Sequence, residues 1–347
     1  MRLRGAGTLA AVIVATAALA PPSEACDSAS CALLTRGQDG IVPKGSWIVD
    51  LSLRYTDEGQ PLLGTAPALE ALRPRVDFSG RRLQPFYHVE LDGSDTIVQA
   101  DAAYGLTSRL ALTASLPLLG VHSYNHIHYP PALPATPAPA DPTDEAHAHA
   151  AGATGPTLLH LRTEGNGDAL VGVRYAVLSG PGQALTGGLA LKLPTGRSQI
   201  ADPHDGGLFD PMLQPGTGSW DGVASAQYAR RGAGMSWSAS GSYQVTTTNG
   251  LGYRFGHEAI AGLGVSRERG RFTASCQLKG HRRQRSRYLG QDVPSTGGAM
   301  LIVTPGVRMR TRTGSLYAFY QRPVYRRVNE YQLASRGALL MGLSRAF

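Results

Sequence analysis

Apolar side chains alternate with polar or small ones through two consecutive runs in residues 167–196. Val171, Val173 and Tyr175 lie on one row of the first run with Arg174 on the other row, and leucines dominate one row of the second run. A period of two is typical of β-strands, because successive side chains point to opposite faces of a pleated chain. The tight turn SGPGQ between the runs predicts a β-hairpin.

The same alternation recurs along the chain and predicts about twelve strands. Two of these strands are irregular because they contain Pro305 and Pro323. The predicted strands cover residues 47–55, 98–104, 110–118, 169–177, 184–193, 220–228, 235–245, 257–265, 272–278, 301–309, 316–325 and 339–347.

The connections between these strands alternate in length. Short turns such as GLTSR and SGPGQ are separated by longer segments, at 56–94, 119–166, 195–217, 248–254, 284–296 and 328–334. This order predicts an all-β fold, a transmembrane antiparallel up-and-down β-barrel with short periplasmic turns and long external loops. An even number of strands leaves both termini in the periplasm. A soluble sandwich, in which the apolar rows meet a second sheet, stays open as the alternative.

The ends of the predicted strands support a barrel in the bacterial outer membrane. Aromatic residues such as Trp47, Tyr104 and Trp237 lie near strand ends on the apolar rows, where an interfacial girdle would place them. The last strand closes on Phe347. A terminal Phe resembles the signal by which the barrel assembly machinery recognises its clients, so this machinery is an expected partner.

The N-terminus carries an export signal. Residues 1–25 combine a basic start, an apolar stretch and a small-x-small cleavage site, and we interpret them as a signal peptide. Residues 26–44 are then a periplasmic segment and 45–347 the barrel. Cys26 and Cys31 are a candidate disulfide in an oxidising periplasm, although a lipid anchor on Cys26 is an alternative.

Three motifs give the chain a resemblance to a known family. They are GDALVGVRYAVL from Gly167, LKLPTG from Leu191 and GTGSWD from Gly216, with YGLTSRLALTASLPLLG at 104–120 fitting an earlier hairpin. Over about residues 95–347 the sequence resembles the outer-membrane family labelled "MetA-pathway of phenol degradation". The resemblance implies a barrel that passes small molecules. The histidine-rich second long loop departs from the family pattern.

If the apolar rows face lipid, the alternate rows line the lumen. Their charges have both signs with a basic excess, which indicates a water-filled pore that favours anions or, alternatively, a salt-bridged plug. The candidate pore-lining residues are Asp50, Arg54, Gln99, Asp101, Asp168, Arg174, Lys192, Asp221, Glu258, Lys279, Arg308 and Arg310.

The loop at 119–166 is rich in histidine and proline. Imidazoles bind Zn and Cu, so this loop is a candidate for weak metal capture outside the cell, and no other cofactor is expected. The alternative is a mobile polar loop, since PPALPATPAPADP separates the two histidine clusters. The candidate ligands are His122, His126, His128, His147 and His149.

The chain of 347 residues has a formal net charge of +8. An exported protein meets little nucleic acid, so anionic lipid and lipopolysaccharide are the expected counter-charges, and HRRQRSR at 281–287 is a candidate contact for lipopolysaccharide phosphates.

The sequence therefore predicts an outer-membrane channel or transporter for small molecules, for example aromatic compounds or anions, and not an enzyme. A lipase-like barrel using His257 and a plugged adhesion barrel are the alternatives.

Overall fold

The computed structural model describes residues 42–128, 157–203, 206–232 and 234–347. Twelve long strands dominate it, and we number them β1 to β12. They are β1 Trp47–Leu63, β2 Arg82–Gly105, β3 Leu110–His128, β4 Leu170–Gly180, β5 Gln183–Lys192, β6 Asp221–Arg231, β7 Met235–Val245, β8 Glu258–Arg269, β9 Phe272–Arg283, β10 Gly298–Arg310, β11 Ser315–Val328 and β12 Tyr331–Ala346.

Each long strand pairs antiparallel with the next one in the chain, and the sheet closes on itself. The β1 strand pairs with β2, Trp47 opposite Tyr104, and also with β12, Ile48 opposite Ala346. Closure gives every long strand two neighbours and leaves no exposed sheet edge among the twelve. The prediction of a twelve-strand up-and-down β-barrel is confirmed.

Several strands are longer than the alternation predicts. The β2 and β3 strands have 24 and 19 residues, and β3 continues to His128 through a segment that we expected to be loop. The last connection, expected at 328–334, is reduced to a tight turn with Glu330 at a φ of 53°. In the extension of β3 the apolar residues Val121, Tyr124 and Ile127 do not keep a period of two, so the strand continues without the alternation that reveals it in the sequence.

Short strands extend the sheet at the end where the longer connections lie, which we call the loop end. The opposite end carries the short turns, the start of β1 and the end of β12, and we call it the turn end. Thr157–Gly165 pairs with the extension of β3, and Ala71–Asp77 pairs with the extension of β2. Ala66–Pro67 pairs with the end of β1. A separate three-stranded sheet contains Tyr253–Arg254, Arg287–Tyr288 and Gln291–Asp292.

Helical structure contributes little to the fold. One 3₁₀ turn, Pro211–Leu213, interrupts the connection between β5 and β6. Within the described ranges, no helix combines the length and the hydrophobicity needed to cross a bilayer. Residues 1–41, with the predicted signal peptide and both Cys26 and Cys31, lie outside the described residues.

The outward rows of the barrel form a ring of apolar side chains, which we call the apolar belt. On β1, Val49 and Leu51 expose 41% and 46% of their surface, while the intervening Asp50 exposes 3%. The sheet therefore turns its apolar rows outward, as predicted. Other exposed members are Leu112, Leu116, Leu118, Val173, Leu189, Leu191, Leu263, Leu278, Val307, Leu316, Leu339 and Met341.

Aromatic side chains border the apolar belt at both ends. Trp47 and Tyr104 meet near the turn end, with ring centroids 4.7 Å apart, and Trp237 lies near the same end. Trp220 and Tyr325 lie on outward rows near the loop end, and both are exposed. Two aromatic girdles are typical of barrels whose apolar band meets lipid.

Candidate functional site

The motif glycines bring three chain segments together inside the loop end of the barrel. A Cβ on Gly196 would lie 2.7 Å from the carbonyl carbon of Gly167 and 2.7 Å from the Cα of Gly216. A Cβ on Gly216 would lie 2.5 Å from the carbonyl carbon of Gly196. Only residues without a side chain allow this backbone contact. The glycines therefore fix where the connection between β5 and β6, residues 193–220, leaves and re-enters the wall.

Asp168 holds both arms of this connection. Its Oδ1 accepts a hydrogen bond of 2.8 Å from the backbone N–H of Gly196. Its Oδ2 accepts a hydrogen bond of 2.9 Å from the N–H of Thr217 and another of 2.6 Å from the Thr217 hydroxyl. A carboxylate that accepts several N–H and O–H bonds is held firmly in one orientation. We call residues 193–220 the infolded loop, because its middle part lies in the barrel lumen.

Lys192 lies between two carboxylates and completes the attachment. Its Nζ is 2.9 Å from Oδ2 of Asp168 and 2.9 Å from Oδ2 of Asp221, and it donates 3.0 Å to the carbonyl of Ser219. Asp221 also accepts 3.1 Å from Nε2 of Gln244 on β7. The three charged side chains are almost fully buried. This arrangement, which we call the Asp168–Lys192–Asp221 network, locks the infolded loop to β4, β5, β6 and β7.

The middle of the infolded loop is a compact turn held by side-chain hydrogen bonds. Oδ1 of Asp210 accepts 2.9 Å from the N–H of Met212, which caps the 3₁₀ turn. The Gln214 side chain donates a hydrogen bond of 3.0 Å to the carbonyl of Phe209 and accepts one of 2.8 Å from the N–H of Ile200. Phe209 packs on Tyr124 of the β3 extension. Because its own bonds and this contact fix it, the loop forms one wall of a cavity.

The cavity has a volume of about 180 Å³ and lies between the infolded loop and the barrel wall. Its lining combines apolar and charged side chains. The apolar part comes from Ile97, Pro117, Leu170, Met212, Pro215 and Phe255. The polar part comes from Arg54, Gln99, His122, Asp168, Lys192, Asp221, Gln244, Glu258 and Arg283.

A second charged group faces the cavity from β8 and β9. Oε2 of Glu258 lies 3.1 Å from Nη2 of Arg283 and 3.0 Å from Nε2 of His281. Glu258 and His281 are buried, so water does not screen this group well. Together with Arg54, these side chains place charges of both signs around the cavity. The site can therefore orient a dipolar or charged molecule.

Below the cavity, toward the turn end, side chains fill the lumen. Lys279, Thr304 and Gln321 expose 3%, 1% and 3% of their surface, although all three point inward. Phe319 lies over Gly306, where a Cβ would come within 2.0 Å of the ring. Tyr317 donates 2.8 Å to Asp50. These inward side chains therefore pack the part of the lumen that lies beside β1 and β9–β11.

The predicted pore-lining residues divide into three groups. Arg54, Gln99, Asp168, Lys192, Asp221 and Glu258 line the cavity. Asp50, Asp101, Arg174, Lys279 and Arg308 lie on inward rows of the wall; Asp101, for example, accepts 3.0 Å from Gln99. Arg310 is different, since it lies at the turn end and its guanidinium makes an exposed ion pair of 2.6 Å with Glu268. Arg310 belongs to the same row of β10 as Arg308, but it lies at the end of the strand, where its side chain reaches solvent.

The infolded loop and one charged residue of the cavity, Arg283, were not expected from the sequence. We expected residues 195–217 to be an external loop, but Pro211, Met212 and Pro215 line the cavity. Arg283 was assigned only to a basic segment on an external loop, and it also lines the cavity. The glycines at 167, 196 and 216 were a usable signal, because close backbone contact is a common reason for glycine in a motif.

The candidate metal ligands do not form a cluster in the described residues. His122 makes a short contact through Nδ1 with Oδ1 of Asp95, its register neighbour on β2. His126 is buried and stacks on Tyr124, with centroids 5.8 Å apart. Within the described ranges no group of three His, Cys, Asp or Glu side chains is placed to hold a metal. His128 ends β3, and His147 and His149 lie outside the described residues, so metal capture stays a prediction.

His257, the candidate base of a lipase-like site, ties two strand ends together. Its Nδ1 accepts 3.0 Å from the backbone N–H of Thr246 and lies 3.1 Å from the Thr246 hydroxyl. That hydroxyl donates 2.5 Å to the carbonyl of Phe255. A catalytic triad needs a hydroxyl nucleophile on one imidazole nitrogen and a carboxylate on the other. The described hydrogen bonds of His257 instead stabilise the ends of β7 and β8.

Comparisons with known proteins place the fold among outer-membrane channels. No protein-family model and no curated protein matches the sequence. Among solved structures, an outer-membrane channel from Pseudomonas putida F1 superposes with a TM-score of 0.58 and 14% identity, covering 90% of this chain and 100% of that one. The chain thus has the fold of an outer-membrane channel barrel.

Two other solved structures are more distant. A FadL homologue from Pseudomonas aeruginosa has a TM-score of 0.41 and 12% identity, with 87% of this chain and 90% of that chain covered. The toluene transporter TodX of P. putida has a TM-score of 0.43 and 10% identity, with 88% and 90% covered. TM-scores this low add nothing to the assignment of the fold.

Proposed function

We propose that this protein is an outer-membrane channel that admits small molecules from the loop end of the barrel into the luminal cavity. The observation that carries the proposal is a closed barrel with apolar rows outside and a polar, partly charged cavity inside. In a bilayer every backbone polar group needs a partner within the protein, and a closed sheet provides one. The aromatic girdles and the apolar belt match a barrel that spans lipid.

The orientation follows from the same architecture. In outer-membrane barrels the short turns face the periplasm and the long connections face outward. The turn end, with Trp47 and Phe347, is then periplasmic. The backbone of Phe347 pairs with that of Trp47, and 63% of the Phe347 surface is exposed. Arg345 lies over its ring at 4.6 Å, and the exposed remainder can contact the barrel assembly machinery.

The cavity suggests the size and chemistry of the cargo. An engineered cavity of about 150 Å³ in another protein binds benzene, so about 180 Å³ is enough for one six-membered ring. Met212 and Phe255 offer apolar contacts, while Arg54 and Arg283 offer hydrogen bonds to an anionic or hydroxyl substituent. We therefore infer that the cargo is a single-ring aromatic compound that carries a hydroxyl or carboxylate group.

Passage beyond the cavity requires movement of the packed side chains. Asp50, Tyr317 and Phe319 are buried inside the lower lumen, and their packing narrows the path that is left for solvent. The resting channel should therefore conduct ions poorly. A plugged barrel that acts through its external loops is a second candidate, and this packing is the observation that favours it.

The experiment is uptake into proteoliposomes that contain the refolded mature chain. Met212→Trp should reduce uptake of phenol and benzoate, because the indole fills the cavity. Leu189→Trp is the matched control, since Leu189 lies on the outward row and is 66% exposed. Equal uptake by wild type, Met212→Trp and protein-free liposomes would contradict transport and favour the plugged barrel.

A further inference from the structure

Two arginines lie side by side on the outward surface at the loop end. In the register of the sheet, Arg282 on β9 is opposite Ala299 on β10, and Ala299 is opposite Arg327 on β11. Cross-strand partners share a face, so Arg282 and Arg327 flank Ala299 on one surface. Neighbouring strands lie about 4.8 Å apart, which puts the two Cα atoms about 10 Å apart. Two side chains as long as arginine can meet across that gap.

These arginines lie at the upper border of the apolar belt. Leu278 precedes Arg282 on the same outward row and is exposed, and the exposed Tyr325 of the upper girdle is two residues before Arg327. Both arginines are themselves exposed. In an outer-membrane barrel, this height is where acyl chains give way to headgroups. The two guanidinium groups thus face a headgroup layer.

Most neighbouring arginines have acidic partners, but these two have none among the residues that the structure describes. Arg285 pairs with Glu330 at 2.6 Å, and its hydrogen bond lowers the pKa of the Glu330 carboxyl, so the pair stays ionised and neutral overall. Arg287 pairs with Asp292 at 2.9 Å. For the side chains of Arg282 and Arg327 the described residues supply neither a hydrogen bond nor an ion pair.

A groove beside Arg282 adds a third cation. Its volume is about 270 Å³, and its lining includes Arg254, Arg282 and Asn329, together with the ion pair of Arg287 and Asp292. Arg254 likewise has no ion-pair partner among the described residues. Three cations thus have no acidic partner in the described part of the chain, two of them on an outward row and one in the adjoining groove. They create a local positive charge that an anion would neutralise.

We propose that Arg282, Arg327 and Arg254 form a binding site for the phosphate groups of lipopolysaccharide in the outer leaflet. Guanidinium groups bind phosphate through paired hydrogen bonds, which suits several arginines converging on one or two phosphates. The position at the border of the apolar belt favours a phosphate that is attached to acyl chains over a soluble one. The proposal rests on the outward orientation of the loop end, but it does not depend on the cargo.

The test compares lipid A binding to the folded chain in detergent micelles by native mass spectrometry. The double variant Arg282→Gln/Arg327→Gln should bind lipid A at least about tenfold more weakly, which corresponds to about 1.4 kcal/mol of binding free energy. Arg267→Gln/Arg271→Gln makes the same charge change at the turn end and should bind like wild type. Heat-modifiable migration on gels confirms that each variant is folded.

Two further probes identify the ligand chemistry. Dephosphorylated lipid A should bind wild type no better than it binds the Arg282→Gln/Arg327→Gln variant. Equal lipid A binding by all three proteins would overturn the proposal, and so would wild-type binding of dephosphorylated lipid A that is as tight as its binding of lipid A. Inorganic phosphate that saturates wild type as tightly as lipid A would overturn the lipid assignment.

The outcome can be separated from that of the proposed transport. Uptake of phenol into proteoliposomes without lipopolysaccharide should be the same for wild type and Arg282→Gln/Arg327→Gln. An epitope inserted in residues 129–156 reports orientation, because antibody binding to intact cells requires an external loop end. Lost uptake with retained lipid A selectivity would contradict only the transport proposal.

Discussion

Removal of the Lys192 charge should weaken the fold strongly, because two buried carboxylates lose their shared counter-charge. The Nζ atom lies 2.9 Å from carboxylate oxygens of both Asp168 and Asp221. Deleting one partner of a buried ion pair typically costs about 3–5 kcal/mol, since the remaining charge stays desolvated. In Lys192→Met the side-chain volume is nearly kept, so little of the cost comes from a cavity. We therefore expect a loss of about 3–5 kcal/mol in unfolding free energy.

The measurement is urea unfolding of the refolded barrel in detergent, followed by tryptophan fluorescence and heat-modifiable migration. Lys44→Met is the matched control, because Lys44 is exposed, and it should stay within about 0.5 kcal/mol of wild type. Asp168→Asn/Asp221→Asn added to Lys192→Met should recover part of the loss, since it removes both orphan charges. A Lys192→Met variant within about 1 kcal/mol of wild type would refute the reasoning from buried charge.

Three further outcomes are expected. Phe319→Ala should raise the single-channel conductance in planar bilayers, because it removes a ring that packs the lower lumen. Gly216→Ala should destabilise the barrel by about 1–3 kcal/mol in urea, because its Cβ would lie 2.5 Å from the Gly196 carbonyl carbon. Glu330→Gln should cost less than about 1 kcal/mol at neutral pH, since the pair with Arg285 is partly exposed.

The controls follow from the same structure. Tyr320→Ala removes an exposed outward ring and should leave the conductance unchanged. An equal rise in conductance for Phe319→Ala and Tyr320→Ala would contradict the placement of Phe319 in the lumen. Gly250→Ala has open space around its Cβ and should be tolerated. The pKa of Glu330 is lowered in the folded protein, so its contribution is present above the ordinary carboxyl value of 4.5 and disappears as pH falls through the folded pKa. A difference in unfolding free energy between wild type and Glu330→Gln that grows as the pH falls would contradict this.

The sequence by itself determined the strands and their two faces. Alternation at Val49, Asp50 and Leu51 predicts which side chain faces out and which faces in, and the structure has the same parity. This works because a pleated strand has a strict period of two, and a barrel with a wet or polar interior keeps the two rows chemically distinct. The alternation of short and long connections was enough to predict closure into twelve strands.

Only the tertiary structure decided how the polar residues meet. The pairing of Asp168 with Lys192 and Thr217 joins positions 24 and 49 residues apart, which no local period encodes. The infolding of residues 193–220, and with it the cavity, depends on three glycine backbones that touch. The neighbourhood of Arg282 and Arg327 likewise exists only through the register of three strands. Local patterning sets the faces of a strand, whereas contacts between distant segments require the closed barrel that brings them together.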